Sequence, residues 1–216
     1  MRHWLKLVDL SLIERWLTGW SLSRGLPIPF HQDGGLVVEV GRPDQLRRHV
    51  FLDAGQALQA CADRIQDPHI FLKAAVAPEV LRRALPERWR IEPPGHLMGC
   101  PAPMTSHATL PPAYRLAFDV QNDAHVVRVI HGSDEQAASG RLVVHGGDAI
   151  FDQIETAEHH RRRGLGTIVM HALDSIAIRA GASERLLVAT DNGRALYSRL
   201  GWHMLAPWST AVLPSP

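Results

Sequence analysis

The chain is short of cysteine, of net charge and of uninterrupted apolar sequence, and each shortage excludes a class of protein. Its 216 residues include only two cysteines, Cys61 and Cys100, in no CxxC spacing. This excludes a disulfide framework and indicates a reducing compartment. The formal net charge is +1, so no global field attracts nucleic acid or an anionic membrane. We therefore expect no nucleic-acid partner, and any anion site must be local.

The N-terminal twenty residues are apolar but do not form a membrane span. Charged residues at Lys6, Asp9, Glu14 and Arg15 interrupt the run, so neither a signal sequence nor a transmembrane helix fits. The apolar residues recur at helical spacing and predict an amphipathic helix, with one face made by Leu5, Val8, Leu12, Trp16 and Trp20. The sequence thus predicts a cytoplasmic protein with no membrane partner.

Short strands and helices alternate in two halves of the chain. In the first half we predict strands at 36–40, 49–53 and 70–76, and helices at 54–65 and 78–85. Six prolines crowd residues 91–113, a density that resists both a helix and a central strand. We place a domain boundary here, between residues 1–104 and 105–216. The second half predicts an antiparallel meander at 115–120, 125–131 and 140–145, followed by strand 149–156, helix 167–180, strand 186–190, helix 193–200 and strand 202–205.

The stretch HHRRRGLGT, from His159 to Thr167, has the composition of a phosphate-binding loop. It joins a predicted strand to a predicted helix, whose first N–H groups are unpaired and lie at the positive end of the helix dipole. Gly164 and Gly166 let a phosphate approach the backbone, and three preceding arginines add charged donors. The P-loop pattern fails at Thr167 and the dinucleotide pattern fails at Val169. What remains is R-x-x-G-x-G.

A second motif, DNGRALYSRLGW, lies one helix and one strand later, at 191–202. It carries Asn192, Ala195, Tyr197, Gly201 and Trp202 in the order N…A…Y…G-W. With both motifs, residues 113–205 resemble the GNAT superfamily of acyl-CoA-dependent N-acyltransferases. The resemblance implies an α/β fold with a GNAT-like mixed, mostly antiparallel sheet flanked by helices, to which an N-terminal α/β segment is joined. It also implies an N-acetyltransferase that moves an acetyl group from acetyl-CoA directly to an amine of a small molecule or a peptide.

The resemblance implies roles for individual residues. The cofactor would be bound by Thr156, Arg161, Arg162, Arg163, Gly164, Leu165, Gly166, Thr167 and Asn192. Tyr197 would act as the acid for the leaving thiolate. Asp152 and Glu155 are alternative bases for the attacking amine. They have opposite parity on one strand, so only one faces the cleft unless a bulge intervenes.

Several alternatives stay open. No metal is expected, because the adjacent side chains of His159 and His160 diverge and no HxxxH or HxH spacing accompanies a carboxylate. The segment 75–85 echoes 187–196, so the first half is either a degenerate GNAT unit or a chance resemblance. The short link 121–125 leaves no room for the family's two acceptor-side helices, so the N-terminal half or a second subunit, as in a homodimer, must form that wall. A non-catalytic CoA sensor or interaction module is the rival function.

Overall fold

A computed structural model describes residues 8–105 and 108–215, and a twelve-stranded sheet organises them. The helices are Leu10–Ser23 (α1), Gln56–Arg64 (α2), Pro78–Ala84 (α3), Leu165–Arg179 (α4) and Asp191–Arg199 (α5). The strands are Phe30–Gln32 (β1), Gly35–Arg42 (β2), Gln45–Phe51 (β3), Ile70–Ala74 (β4), Arg90–Ile91 (β5), Gly95–Gly99 (β6), Tyr114–Gln121 (β7), Ala124–His131 (β8), Glu135–His145 (β9), Asp148–Thr156 (β10), Glu184–Thr190 (β11) and His203–Val212 (β12).

The sheet is mixed and mostly antiparallel, as the sequence predicted. Strands β7 to β10 form an antiparallel meander. Only β3 with β4 and β10 with β11 pair in parallel, and a helix connects the two strands of each pair. The strand order is β1-β2-β3-β4-β12-β6-β11-β10-β9-β8-β7, with β5 also paired to β12.

The two halves of the chain exchange strands at the centre of this sheet. Strand β6, from the first half, lies between β11 and β12 and is antiparallel to both. Strand β12, from the second half, continues past β6 and pairs with β4. The expectation that residues 91–113 would resist a central strand is therefore wrong for β6. Its five residues contain no proline, because Pro94 precedes the strand and Pro101 follows it.

The same order of elements occurs in each half. Strand, helix, parallel strand and helix follow one another as β3-α2-β4-α3 and again as β10-α4-β11-α5. The exchanged strand follows each set, β6 after the first set and the short strand β5, and β12 directly after the second set. The division into separate domains at residue 104 stays a prediction.

Helix α1 packs on one face of the sheet, and its apolar side reaches both halves. The side chain of Asp9 caps the helix by accepting from the Leu12 N–H at 2.8 Å. Buried Trp16 and Trp20 share a core cluster with Val50 of β3 and Ile150 of β10. Gly19 permits this contact, because a Cβ there would lie 2.6 Å from Ile150 Cγ1. Leu5, which we placed on the same face, lies outside the described residues.

The other helices cover the opposite face. Helices α2 and α3 enclose a cluster around Leu72 and Trp89, and α4 and α5 enclose a larger one around Val169 and Trp202. Among residues 8–105 and 108–215, no helix is long and apolar enough to cross a membrane.

Candidate active site

The segment between β10 and α4 presents a row of free backbone donors. After a short 3-10 turn at Glu158–His160, the N–H groups of residues 162–167 donate to no acceptor within 8–105 and 108–215. The first bond of the helix is from Ile168 N–H to Gly164 C=O, at 3.1 Å. Six consecutive donors at the positive end of a fifteen-residue helix form a cradle for an anion.

Two glycines are required for the shape of this loop. Gly164 has φ of +78°, a left-handed conformation that costs little only for glycine. Gly166 is closely packed, since a Cβ would lie 3.0 Å from Leu196 Cδ2, tighter than an ordinary contact, and 3.8 Å from Thr156 Oγ1. The structure thus brings Thr156 and Gly166 together at the mouth of the loop.

The three arginines are exposed and are used differently. Arg163 donates to Tyr114 Oη at 2.9 Å and Arg161 donates to the Thr156 carbonyl at 3.4 Å, so both also fasten the loop to the protein. Arg162 has φ of +63°, and its side chain makes no hydrogen bond to a described residue. Of the three arginines, Arg162 is the one whose side chain is not committed to another described residue.

A gap in the sheet lies beside the loop. Strand β10 pairs with β11 only over Asp148–Ile150 against Glu184–Leu186. Beyond that point residues 151–156 have no described strand partner on the β11 side, and residues 187–190 have none on the β10 side. The backbone groups along this gap are available to an extended ligand arm.

A β-bulge places both candidate carboxylates on one face of the sheet. Asp152 pairs with Arg141, Glu155 pairs with Ser139, and the register shifts between the two pairs. Ser139 and Arg141 lie two residues apart on β9 and share a face. Gln153, with φ of +51°, is the residue at which the backbone departs from regular strand. Asp152 and Glu155 therefore lie on the same face, although their positions in the sequence would place them on opposite faces of a regular strand.

The two carboxylates have different environments. Asp152 is half-buried and accepts from Ser23 Oγ at 2.8 Å and from Arg24 Nε and Nη2 at 2.8 and 3.0 Å. Both partners lie at the end of α1. Glu155 is exposed, makes no hydrogen bond to a described residue, and lines a cavity of about 200 Å³ over β8, β9 and β10. Of the two, Glu155 is free to take a proton from a bound amine.

Tyr197 projects from α5 into the core beside the gap. Its side chain is 7% exposed, and its hydroxyl makes no hydrogen bond to a described residue. Gly193 leaves space for the ring, since a Cβ there would lie 2.9 Å from Tyr197 Cε2. Burial, and then the negative charge of Asp152, raise the pKa of Tyr197 above its usual value. The phenol therefore stays protonated at neutral pH.

The first turn of α5 carries Asn192 of the second motif. Thr190, rather than Asn192, caps the helix by accepting from the Gly193 N–H at 3.2 Å. The Asn192 side chain is exposed and is left available for a ligand. Asp191 contacts His96 of β6, with Oδ1 2.7 Å from Nε2.

Sequence reasoning missed two clusters of ionisable groups. Arg48 and Lys73, on β3 and β4, lie on the α1 face near Arg24. The available signal was a lysine between apolar residues in IFLKA; RRHVF gave no such signal for Arg48, whose neighbours are Arg47 and His49. The second cluster joins His131, His159 and His160 to Glu135, at 3.2, 2.5 and 3.2 Å. Hydrogen bonds from these histidines, His159 first, lower the pKa of Glu135 to about 2.

Comparisons with known proteins agree with this geometry. A model of the acetyltransferase (GNAT) family matches residues 79–202, more than half of the chain. No curated protein matches. A GCN5-related N-acetyltransferase from Kribbella flavida superimposes with a TM-score of 0.64 at 14% identity, covering 94% of this chain and 96% of that one. A GCN5-related N-acetyltransferase-like protein from Streptococcus suis gives 0.58 at 12%, covering 94% and 100%.

A tandem GNAT protein from the clavulanic acid biosynthesis pathway gives a TM-score of 0.50 at 12% identity, covering 68% of this chain and 65% of that one. At these identities the structures establish the fold, and the family model establishes membership. The chain belongs to the GNAT acetyltransferase family, whose members transfer acyl groups from acyl-CoA. The loop and Tyr197 lie in the two motif segments, and the gap and the bulge lie in the strands beside the loop.

Proposed function

We propose that this protein is an N-acetyltransferase that moves an acetyl group from acetyl-CoA directly to an amine. The observation that carries the proposal is the row of six free backbone donors, residues 162–167, beside an unpaired gap in the sheet. The donors suit a pyrophosphate, and the gap suits the extended arm that links it to the thioester. Thr156 and Asn192 lie at the two sides of that path.

The remaining groups divide the chemistry between them. Bound acetyl-CoA supplies an electrophilic thioester carbonyl at the bulge of β10. Glu155 accepts the proton of the ammonium, so that the amine nitrogen forms its bond to the carbonyl carbon. A backbone N–H of the bulge hydrogen-bonds the carbonyl oxygen as negative charge develops on it. Tyr197 donates its proton to the sulfur as the carbon–sulfur bond breaks, and the second proton of the attacking nitrogen passes to the phenolate, which leaves the amide, the CoA thiol and a protonated Glu155.

We also propose that the N-terminal half builds the acceptor wall. The family's two acceptor-side helices are absent here, and α1 packs over β9 and β10 on the face that carries Asp152 and Glu155. The ion pair of Asp152 with Arg24 positions the end of α1 beside the bulge. A second subunit is then not needed for this wall. The repeated order of elements supports reading the first half as a degenerate GNAT unit, as in a tandem GNAT protein.

The test is a thiol-release assay with acetyl-CoA against a panel of amines, beside calorimetric titration of CoA. Tyr197→Phe and Glu155→Gln should each lower kcat by about 100-fold, the usual scale of general acid and base contributions. CoA affinity should hardly change in either. Ser198→Ala, an exposed neighbour on α5, is the matched control and should leave kcat unchanged.

The rival function is a CoA-binding module without catalysis. It would be supported by tight CoA binding with no turnover of any amine. Variants of Tyr197 and Glu155 with wild-type rates would instead keep the enzyme and reject these two roles.

A further inference from the structure

A group of three cations lies between the end of α1 and the strands β3 and β4. The guanidinium of Arg48 lies 3.6 Å from the centre of the Trp20 ring, and that of Arg24 lies 4.7 Å from the same ring. Lys73 lies opposite Val50, two residues after Arg48, so the lysine and Arg48 occupy neighbouring strands on one face. These three residues are called the basic cluster below.

The basic cluster has more positive charge than its surroundings compensate. Arg24 takes the carboxylate of Asp152, and no described carboxylate forms an ion pair with Arg48 or Lys73. Lys73 Nζ donates to the neutral Thr210 Oγ1 at 2.7 Å. Arg48 is 8% exposed, its Nη2 reaches Gln45 Oε1 only at 3.4 Å, and its Nε has no partner. Residues 1–7, 106, 107 and 216 carry no acidic side chain.

This arrangement is unfavourable in the absence of an anion. Burial, and then repulsion from Arg24, lower the pKa of Arg48 to about 9, and attraction from Asp152 opposes this shift only in part. Burial, with repulsion from Arg48 and then Arg24, lowers the pKa of Lys73 well below its usual value, against an attraction from Glu92. A charge removed from water needs a partner, and apolar residues of similar size would cost less at these positions. The cluster therefore has the chemistry of a binding site for an anionic group.

The basic cluster adjoins the proposed reaction centre. Arg24 bonds to Asp152, which begins the bulge that ends at Glu155. Thr210, the partner of Lys73, lies two residues after Trp208 on β12. Trp208 pairs with Gly95 of β6, and Gly95 pairs on its other side with Thr190 of β11. Thr190 caps α5, the helix that carries Tyr197. An anion held by the cluster is thus attached to a molecule that reaches the gap.

We infer that the basic cluster binds a carboxylate of the substrate, so that the acceptor is a carboxylate-bearing amine such as an amino acid. The inference rests on the proposed acetyl transfer for the identity of the reacting amine. With the carboxylate at Arg48 and Lys73, the amino group points towards Glu155 and the thioester. The same carboxylate chemistry is also present in a donor with a dicarboxylic acyl chain, such as succinyl-CoA.

The experiment compares matched substrates in the full-length protein. Amino acids, their primary amides and their decarboxylated amines are assayed with acetyl-CoA, and neutral amines are assayed with acetyl-CoA and succinyl-CoA. A kcat/KM at least tenfold higher for the amino acids assigns the cluster to the acceptor. A similar preference for succinyl-CoA with neutral amines assigns it to the donor. Equal rates for charged and neutral members of both series would overturn the inference, while acetyl transfer itself would stand.

A variant separates a binding role from a structural one. Lys73→Met keeps the length of the side chain and removes its charge. It should leave Tm unchanged or raised, and should abolish the preference for carboxylates. Arg64→Met, which removes an exposed cation paired to Asp33, is the control and should preserve the preference. A lowered Tm with the preference intact would show that the cluster is structural and overturn the inference.

A binding measurement covers the case in which no amine turns over. The Tm of the CoA-saturated protein is followed with L-glutamate and L-leucine, and with their amides. Stabilisation by the acids that Lys73→Met removes supports the anion site even where the proposed acetyl transfer fails. No stabilisation by any acid, together with no turnover, rejects both.

Discussion

The two strand–helix–strand units of this chain have the same order of elements, but the parallel pairing of their two strands is complete in the first and incomplete in the second. In the first half, β3 pairs with β4 along five consecutive residue pairs, from Arg47–Ile70 to Phe51–Ala74. In the second half, pairing of β10 with β11 stops after three. Neither of the helices that follow has a side-chain cap, but in the loop before α2 the Asp53 carboxylate accepts from the Gly55 N–H at 2.8 Å.

The difference shows how one arrangement serves as framework and the other as a site. The parallel pairing that stops short in the second half is complete in the first, so a strand partner closes the gap there. An exposed acidic side chain, Asp53, also precedes α2, where arginines and glycines precede α4. In exchange, the first half supplies α1 and the basic cluster. We read the first half as a unit that lost its own site and covers that of its neighbour.

The largest effect is expected from separating the two halves. Residues 105–216 made alone lose β6, which lies between β11 and β12, and lose α1, which covers Ile150. We expect this fragment to be poorly soluble or inactive, although it carries the whole CoA motif. Circular dichroism and CoA titration check this, and co-expression with residues 1–104 should restore both signals. A soluble fragment with full activity would make the first half an independent appendage.

The second prediction tests the loop glycine against a glycine of similar backbone conformation. Gly164→Ala and Gly132→Ala both place a side chain at positive φ, +78° and +58°, so both lose a comparable amount of stability. Only Gly164 belongs to the row of free donors. Its substitution should weaken CoA binding by about tenfold or more, the effect of losing one or two charge-assisted hydrogen bonds. Calorimetry that found equal CoA affinity for both variants would contradict the cradle.

A smaller effect is expected where the first half closes its own helix start. Asp53→Ala removes the acceptor of the Gly55 N–H and should lower the free energy of unfolding by about 1 kcal/mol. Asp53→Asn keeps an acceptor oxygen and should be nearly neutral. Neither variant should bind a second CoA, because β3 and β4 leave no gap. A second CoA site in Asp53→Ala, seen by calorimetry, would mean that the carboxylate alone closes the first half.

The smallest effect concerns pH. The pKa of Glu135 is lowered to about 2 in the folded protein, so its contacts stabilise the fold above the ordinary glutamate pKa of about 4.3. That contribution is lost as pH falls from there towards 2. Because Glu135 is exposed, the effect is screened and small. Thermal unfolding of Glu135→Gln should differ from wild type at neutral pH and converge with it near pH 2, and a difference independent of pH would reject the assignment.

The elements that the sequence predicted best are those whose signal is local. Periodicity located the meander and α4. The two motifs located the loop and Tyr197, because the glycines and the start of a helix lie within a few consecutive residues. The exchange of β6 and β12 was not predictable, because a five-residue strand between prolines has no marker for its partners. The sequence analysis named a bulge only as the condition under which both carboxylates would share a face, because the residues DQIE do not indicate a positive φ at Gln153.

Residues that act through distant contacts were the least visible. The ion pair of Arg24 with Asp152 joins positions 128 residues apart. Arg48 and Lys73 lie in two strands of ordinary sequence, β3 and β4, and only the packing of α1 against them shows that these cations are removed from water. The histidines around Glu135 come from the end of β8 and from the 3-10 turn at Glu158–His160, so no single spacing rule would have connected them.

The exchanged strands also determine the order in which the chain can fold as it is synthesised. One edge of β4 stays unpaired until Ser209 and its neighbours have been synthesised, and both edges of β6 stay unpaired until β11 and β12 have been synthesised. No stable N-terminal intermediate is therefore complete while the second half is still on the ribosome, and three unpaired strand edges stay open for most of synthesis. Such non-local pairing slows folding and exposes the nascent chain to aggregation. It also ties the two halves into one cooperative unit, so that a mutation that destabilises the first half also destabilises the second.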